Sequence, residues 1–244
     1  MVEGRVRLDQ ALVAQGLVPS RQRAQAMVRA GLVRVAGEVA DRPDQLVNPG
    51  VSIDLEGTKG FVSRGGEKLA AALDAFGVDP AGRVCLDVGA STGGFTDLLL
   101  QRGAAQVITV DVGYGQLDFR LRQDPRVLVL ERTNIRHLDR LPVPADLAAI
   151  DVSFISLRLV LPRVRELLTP PGDVVALVKP QFEVGKGAVG KGGVVRDPDQ
   201  HRQVVSDLRH FAEEIGYTIA GEVPSPILGA KGNREFLLYL RRNG

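Results

Sequence analysis

Short apolar runs alternate with amphipathic stretches along most of this chain, and from residue 64 onward the alternation becomes regular. Uninterrupted apolar runs of four or five residues are typical of parallel strands, because such strands are covered on both faces. Apolar residues that recur every three or four positions indicate helices with one buried face. The pattern predicts seven strands, at 84–88, 106–110, 127–130, 147–150, 174–178, 217–223 and 236–240. It also predicts a helix at about 65–76, a helix that begins at residue 95 and a helix at about 198–216. This order predicts an α/β fold with a mostly parallel seven-stranded sheet and helices on both faces.

The first 56 residues show a different pattern, in which two short helices precede short strands. Apolar residues at positions 8, 12, 13 and 17 predict the first helix, and Ser20 stands where it would cap the second. Residues 33–38 predict a hairpin, and 51–55 a later strand. We therefore expect a small α+β domain at 1–56, a short glycine-bearing linker at 57–63 and the larger domain at 64–244.

Composition narrows the possible functions. The single cysteine, Cys85, excludes disulfides and cysteine-rich zinc sites, and the three histidines lack the spacing of metal ligands, so no metal is predicted. The first residues lack the apolar core of a signal peptide, and no apolar run approaches the roughly 18 residues of a membrane span. We expect a cytoplasmic protein without a membrane partner. The formal net charge is only +2, so a nucleic-acid partner has to be inferred from local charge.

A glycine-containing turn joins the strand at 84–88 to the next helix, as in folds that bind nucleotide-like cofactors. Its spacing differs from the G-x-G-x-x-G of dinucleotide enzymes. A carboxylate just before the turn would repel a pyrophosphate but suits a cationic or hydroxyl-bearing ligand, which favours S-adenosylmethionine over NAD. We expect the glycines to leave room for this ligand and the helix amides to point at it. The expected contacts here are Asp87, Gly89, Ala90, Ser91, Thr92, Gly93, Gly94 and Phe95.

Polar residues follow several of the other predicted strands. Open parallel sheets bind ligands at the carboxyl ends of their strands, so these positions predict binding or catalysis. Asp111, with Val112 after it, is placed to bind the cofactor ribose, and Asn134 to meet the adenine edge. Asp151 and Lys179 follow two further strands. Asp151 either borders the sulfonium or caps the next helix.

Arginines are concentrated in the N-terminal segment, where a solvated surface and an RNA-binding surface are both compatible with charge alone. The ordered pattern Arg7-Leu8-Asp9, Gly16-Leu17, Ser20-Arg21, Gly31 and 33–37 resembles the S4 RNA-binding domain over almost the whole segment. The resemblance implies contacts with phosphates and with the minor-groove face of structured RNA. The expected RNA contacts are Arg5, Arg7, Ser20, Arg21, Arg23 and Arg29, together with Arg64 at the start of the larger domain.

Residues 185–192, Gly-Lys-Gly-Ala-Val-Gly-Lys-Gly, nearly match a phosphate-binding P-loop. A P-loop ends in Ser or Thr, which coordinates Mg²⁺, whereas this segment ends in Gly192 and does not directly follow a strand. A nucleotide hydrolase is therefore excluded. Lys186 and Lys191 either close on RNA phosphates or belong to an ordinary surface loop.

Four charged residues are the catalytic candidates: Lys68, Asp151, Lys179 and Glu235. Lys68 gains nothing locally from its place near a helix N-terminus, where a cation opposes the macrodipole. The order of the four resembles that of the FtsJ-type ribose 2'-O-methyltransferases. With the S4-like segment and the motifs Ser-Arg-Gly-Gly-Glu-Lys-Leu, Asp-Val-Ser-Phe-Ile-Ser and Val-Lys-Pro-Gln-Phe-Glu, the whole chain resembles the TlyA family of rRNA methyltransferases, often labelled haemolysin A.

The resemblance implies a Rossmann-like methyltransferase domain that transfers a methyl group from S-adenosylmethionine to a cytidine ribose 2'-hydroxyl in ribosomal RNA. Such a hydroxyl needs a nearby base or a strong hydrogen bond before it attacks. Lys179 is a candidate base, but an ordinary lysine amine, with a pKa of about 10.4, is protonated at neutral pH. Alternatively Lys179 stays cationic and stabilises the developing alkoxide, with Asp151 as the proton acceptor.

Two other functions are compatible with parts of the sequence. The chain could be a non-catalytic rRNA-binding assembly factor, although four intact catalytic candidates argue against this. A membrane-active haemolysin is disfavoured, because the sequence shows no apolar span or amphipathic membrane helix. The sequence defines neither the ribosomal subunit that is modified nor the oligomeric state.

Overall fold

The computed structural model describes residues 4–18, 20–29, 31–55, 60–185, 190 and 192–243, without the side chains of Arg23 and Ala26. The chain divides into two compact units, Met1–Gly60 and Phe61–Gly244. Within the described ranges, no helix combines the length and apolar character needed to cross a membrane.

The smaller unit is an α+β domain. Its elements are β1 (Val6–Arg7), α1 (Leu8–Ala14), α2 (Arg21–Arg29), β2 (Val33–Val35), β3 (Glu38–Val39), β4 (Leu46–Val47) and β5 (Ile53–Leu55). β1 pairs with β4, and β2 lies between β3 and β5, all antiparallel. Ala36 and Gly37, between β2 and β3, both have positive φ, as a tight two-residue hairpin turn requires. Leu8 and Leu12 of α1 pack with Val33 of β2 in a separate small core.

The larger unit is built around a seven-stranded sheet. Its strands are β6 (Val84–Val88), β7 (Gln106–Val110), β8 (Val127–Leu130), β9 (Ala145–Ile150), β10 (Leu168–Val178), β11 (Tyr217–Pro224) and β12 (Phe236–Arg242). Its helices are α3 (Gly65–Phe76), α4 (Gly94–Gln101), α5 (Phe119–Gln123), α6 (Leu161–Leu167), α7 (Pro180–Glu183) and α8 (Pro198–Glu214). The strand order is β11-β12-β10-β9-β6-β7-β8; the five strands from β10 to β8 are parallel, and β12 is antiparallel to both neighbours. The predicted α/β fold is confirmed.

Prediction and structure differ mainly at the ends of elements. β6, β7 and β8 have the predicted bounds, whereas β10 begins at Leu168 instead of residue 174. The added part pairs with β9 at Leu168↔Ala145, and the register then shifts before Asp173. Prolines and a glycine fill this stretch, so it lacks the apolar run that marks a buried strand. The short helices α5, α6 and α7 escape prediction because so few residues show no clear helical period.

Apolar clusters cover both faces of the sheet. One joins α6 and α8 to the sheet through residues such as Val164 and Leu208, and the other joins α3 and α4 through Leu69 and Leu98. β7 and β8 lie on one side of β6, and β9 and β10 lie on the other. The strand order therefore reverses between β6 and β9. Open α/β sheets bind their ligands outside the carboxyl ends of strands at such a reversal. The glycine loop after β6 and Asp151 after β9 lie at this edge.

Candidate active site

The glycine loop between β6 and α4 is shaped by its protein neighbours. Gly89 and Gly93 have φ values of +85° and +97°, in the left-handed region that favours glycine. A Cβ atom on Gly89 would lie 2.6 Å from the carbonyl oxygen of Asp151. On Gly93 it would overlap a side chain of α5, and on Gly94 a side chain of the segment before α3. The structure thus gives a different reason from the predicted one: these glycines leave room for other atoms of the domain.

The remaining loop residues differ in their accessibility. Ser91 is exposed and has a φ of +49°, while Thr92 is half-buried. Ala90 and Phe95 are buried, and the Phe95 ring belongs to the core beside α3. Of the predicted contacts, Phe95 can therefore offer a ligand only its backbone.

Asp87 of β6 is a buried carboxylate with unused hydrogen-bonding capacity. Its Oδ2 accepts a hydrogen bond of 2.6 Å from the Thr96 hydroxyl, whereas its buried Oδ1 has no partner within the described part of the chain. Burial raises the pKa of Asp87 to about 7, and the negative charges of Asp151 and Asp111 act in the same direction, against the Thr96 hydrogen bond. Three carboxylates close enough to influence one another fit a positively charged ligand.

Asp111 connects the loops that follow β6 and β7. Its Oδ2 accepts from the Ser91 amide at 2.8 Å, and its Oδ1 accepts from the Gly113 amide at 2.7 Å. Each carboxylate oxygen can accept a further hydrogen bond. The two amides therefore orient Asp111 and leave it able to accept hydrogen bonds from a ligand. The neighbouring Val112 is 71% exposed, so its side chain offers an apolar surface on which the ring of a ligand can pack. Asn134 caps the short 3₁₀ turn Ile135–His137, because its side-chain oxygen accepts from the Arg136 amide.

Lys179 and Asp151 form an ion pair at the ends of β10 and β9. The Lys179 Nζ lies 2.6 Å from Asp151 Oδ1 and donates a 2.8 Å hydrogen bond to the Ser153 hydroxyl. The approach to Asp151 lacks hydrogen-bond geometry, and its Oδ1 has no other partner in the described ranges. The Asp151 amide donates to the Val88 carbonyl at 2.9 Å, which fixes this residue between the glycine loop and the lysine.

Lys68 and Glu235 form a second, more deeply buried ion pair. The Lys68 Nζ lies 2.5 Å from Glu235 Oε2, and their side chains are only 10% and 2% exposed. Gly229 lies against the glutamate so closely that a Cβ atom there would overlap its carboxylate. The lysine that opposes the α3 dipole is therefore compensated by a partner far along the chain.

Strand register brings the two pairs to one edge of the sheet. β10 and β12 are antiparallel and end their pairing at Val178↔Phe236. Lys179 directly follows this pair on one strand, and Glu235 directly precedes it on the other. Side chains at opposite positions of an antiparallel pair lie close together on one face. The four predicted catalytic residues thus collect at the carboxyl ends of the parallel strands, next to the glycine loop.

The basic residues of the smaller unit have different surroundings. Arg7 and Arg21 both bind the carboxylate of Asp9, at 3.0 and 3.2 Å, and Gln25 donates to the same carboxylate at 2.8 Å. Asp9 is fully buried, and these partners, Arg7 foremost, hold its pKa well below the usual range. Arg7 and Arg21, which are predicted RNA contacts, therefore also stabilise the domain itself. The charge pattern of the sequence does not show this role.

The other predicted RNA contacts are exposed or lie outside the described part of the chain. Arg5, Ser20 and Arg29 are exposed on the smaller unit, and Arg64 is exposed at the start of α3. The side chain of Arg23 and the whole of Lys186 and Lys191 lie outside the described residues.

Phe154 is a candidate functional residue that the sequence prediction left without a role. Its side chain is 90% exposed, its φ is +64°, and its ring lies 5.1 Å from that of Phe182. The left-handed conformation costs a residue with a side chain roughly 1–2 kcal/mol, and such strain concentrates at functional sites. Its position shortly after the end of a strand could have indicated a functional role. It was not assigned one, because aromatic residues are usually expected in the core.

The strand order, the glycine loop and the paired lysines and acids together define a Rossmann-like methyltransferase. A family model for FtsJ-like methyltransferases matches residues 61–242, and one for the S4 domain matches residues 6–53. The chain therefore belongs to the FtsJ-like methyltransferases, in the S4-containing TlyA family. Its cofactor is S-adenosylmethionine.

Similar proteins span most of this chain. The 16S/23S rRNA (cytidine-2'-O)-methyltransferase TlyA of Mycobacterium tuberculosis is 48% identical over 97% of this chain and 90% of its own length. The 23S rRNA (cytidine-2'-O)-methyltransferase TlyA of Campylobacter jejuni is 33% identical over 82% of this chain and 78% of its own. A solved structure from Streptococcus thermophilus, named a candidate hemolysin, has 43% identity and a TM-score of 0.78 over 98% of this chain and 89% of its own.

Proposed function

We propose that this protein methylates the 2'-hydroxyl of a cytidine ribose in ribosomal RNA. The observation that carries the proposal is the convergence of two lysine–carboxylate pairs beside the glycine loop. The names of the Mycobacterium and Campylobacter relatives support the same reaction and the same nucleoside. In this proposal residues 1–56 bind RNA, residues 57–63 link the domains and residues 64–244 carry the chemistry. A ribosomal substrate implies action in the cytoplasm.

The cofactor would be held by the loop after β6 and by acidic residues around it. S-adenosylmethionine supplies a methyl group on a positively charged sulfur. Asp111 and Asp151 provide negative charge at the sheet edge where that sulfur is needed, and Asp87 adds a buried acceptor oxygen that a bound cation would help to ionise. Asp111 accepts the ribose hydroxyls and the exposed Val112 covers the adenine ring, while Asn134 meets its edge. The further contacts are the backbone of Gly89, Ala90, Ser91, Thr92, Gly93, Gly94 and Phe95.

Lys179 and Asp151 would activate the attacking hydroxyl. An ammonium group has three donors, and only one of those of Lys179 is directed at Ser153. A remaining donor can stabilise the alkoxide that develops as the hydroxyl loses its proton. In this proposal the Asp151 carboxylate, held beside the ammonium by the ion pair, takes that proton. We therefore favour a cationic Lys179 with Asp151 as the acceptor over a neutral lysine base.

Lys68 and Glu235 would hold the substrate side of the site in place. Both side chains are buried and satisfy each other, so neither is free to move without leaving a buried charge unpaired. The ion pair ties α3 to the start of β12, and β12 pairs with the strand that ends just before Lys179. Precise placement matters, since in-line transfer depends on the geometry of the reacting atoms.

Methyl transfer to unmodified ribosomal subunits tests the proposal. Purified protein is incubated with labelled S-adenosylmethionine and separated small and large subunits, and the labelled nucleoside is mapped. A 2'-O-methylcytidine product would establish the reaction, and the labelled subunit would decide between 16S, 23S or both. Cofactor binding without transfer to either subunit would favour the assembly-factor alternative.

A further inference from the structure

The strained loop between β9 and the following 3₁₀ helix needs an anchor at each end. Unfavourable backbone conformations such as that of Phe154 persist only where surrounding contacts hold them. On the N-terminal side the anchor is Asp151, through its amide bond to Val88 and its ion pair with Lys179. The anchor on the C-terminal side is Glu183, a residue to which no role has so far been assigned.

Glu183 accepts hydrogen bonds from two consecutive residues of this loop. The Ser156 hydroxyl donates to Oε2 at 2.5 Å, and the Leu157 amide donates to Oε1 at 2.8 Å. The Ser156 oxygen in turn accepts from the Arg158 amide at 3.1 Å, which caps the 3₁₀ helix Leu157–Leu159. Both carboxylate oxygens are therefore used to fix the point where the loop ends.

The position of Glu183 in the chain connects this anchor to the catalytic lysine. Glu183 is the last residue of α7, and α7 begins immediately after Lys179. In the same helix, the ring of Phe182 lies against that of Phe154. One carboxylate thus joins the segment that carries Lys179 to the segment that carries Asp151 and Phe154.

We propose that Glu183 is a positioning residue for methyl transfer: its carboxylate holds loop 151–157 against α7, so that Phe154 and Lys179 keep a fixed relative orientation. For its kinetic readout this inference rests on the proposed function. Phe154 directly follows Ser153, to which Lys179 donates, and its exposed ring is suited to stack on the base of the nucleotide that is methylated, as aromatic side chains do with unstacked RNA bases. Losing the anchor would release that ring while the cofactor loop after β6 stays intact.

The first test compares two substitutions at Glu183. Glu183→Ala removes both acceptors, and we expect kcat to fall about 10- to 100-fold, as for a small misplacement of reacting groups. The Kd for S-adenosylmethionine should stay within about twofold. Glu183→Gln keeps an acceptor for Leu157 and can donate to the Ser156 oxygen, so it should retain at least about a third of wild-type kcat. Ser156→Ala should lower kcat in the same direction, and adding it to Glu183→Ala should change little, because the two act as a unit.

The second test observes the loop without any substrate. The chain contains no tryptophan, so Phe154→Trp introduces a single tryptophan at the loop, whose emission can be excited separately from that of the three tyrosines. We expect its fluorescence anisotropy to be high with Glu183 intact and to fall clearly in the Glu183→Ala background. Glu222→Ala is the matched control, because Glu222 pairs with Arg209 on the outer surface and should change neither anisotropy nor kcat.

The outcomes separate the inference from the proposed function. Wild-type activity in Glu183→Ala, or an unchanged anisotropy, would overturn the positioning role. A Glu183→Gln variant as inactive as Glu183→Ala would also overturn it, because the charge itself would then be required. Equal losses of activity and cofactor affinity would indicate a general structural role instead. If the wild-type protein methylates no RNA, the proposed function fails, and the anisotropy alone decides whether Glu183 orders the loop.

Discussion

Replacing Asp87 by Asn should remove a pH dependence from the stability of this protein. Asp87 is fully buried, and ionising it there is unfavourable because one oxygen has no partner in the described part of the chain. Burial raises its pKa from the ordinary 3.8 to about 7. The difference between 7 and 3.8 is about 3 pH units, and at about 1.4 kcal/mol per unit it corresponds to about 4 kcal/mol as an upper limit.

The sign of the effect follows from proton binding. Because folding raises the pKa, the folded protein holds a proton that the unfolded chain has already released between about pH 4 and pH 7. The stabilisation by the protonated form is complete below about pH 4 and is lost as the pH rises through about 7. The free energy of unfolding of the wild type, minus that of Asp87→Asn, should therefore fall by up to about 4 kcal/mol between pH 4 and pH 8.

Urea denaturation without cofactor, followed by circular dichroism across this pH range, measures the effect. Taking the difference between the two proteins cancels the titration of groups that they share. Asp139→Asn is the control, because it makes the same chemical change at a side chain that is fully exposed. If the difference for Asp87→Asn stayed constant within about 0.5 kcal/mol, the assignment of a buried, protonated Asp87 would be wrong.

Three further predictions concern the ion pairs and the RNA surface. Lys179→Ala should abolish methyl incorporation into ribosomal subunits while the calorimetric Kd for S-adenosylmethionine stays within about threefold, and an active variant would contradict the catalytic assignment. Lys68→Ala should lower the free energy of unfolding in urea by about 3–5 kcal/mol, because it leaves Glu235 buried without its partner; Lys68→Met combined with Glu235→Gln should recover most of this loss. Replacing both Arg5 and Arg29 by Ala should weaken RNA binding and reduce its log–log salt slope by up to about 2, with cofactor binding unchanged, whereas an unaltered slope would mark them as ordinary solvated residues.

Three strands could be predicted with their bounds because their signal is local. β6 and β7 are almost fully buried and mainly apolar, and the edge strand β8 is a run of apolar residues alone; each is followed by a glycine or an acidic residue. The long α8 has enough residues to show a helical period, although it ends at Glu214, slightly before the predicted residue 216. Elements without such a run, such as the first part of β10, gave no comparable signal.

The partners of individual side chains could not be predicted, because they depend on distant parts of the chain. Nothing near Asp9 in the sequence indicates that it is buried between Arg7 and Arg21, so these arginines appeared to be wholly available to RNA. The atoms that exclude a Cβ from Gly93 and Gly94 likewise belong to other segments of the domain. Local patterns therefore identify which residue types matter, whereas tertiary contacts determine what those residues do.

The direction of one strand explains how the catalytic residues come together. In a parallel sheet the residues that follow the strands share an edge, which accounts for Asp151 after β9 and Lys179 after β10. β12 runs the opposite way, so the residue at this edge is the one that precedes it, and that residue is Glu235. The same reversal puts Glu235 within reach of Lys68 on α3, although the two are separated by most of the larger domain in sequence. An acid before an antiparallel strand and an acid after a parallel strand can therefore serve one site, and strand direction has to be known before strand-end residues are grouped.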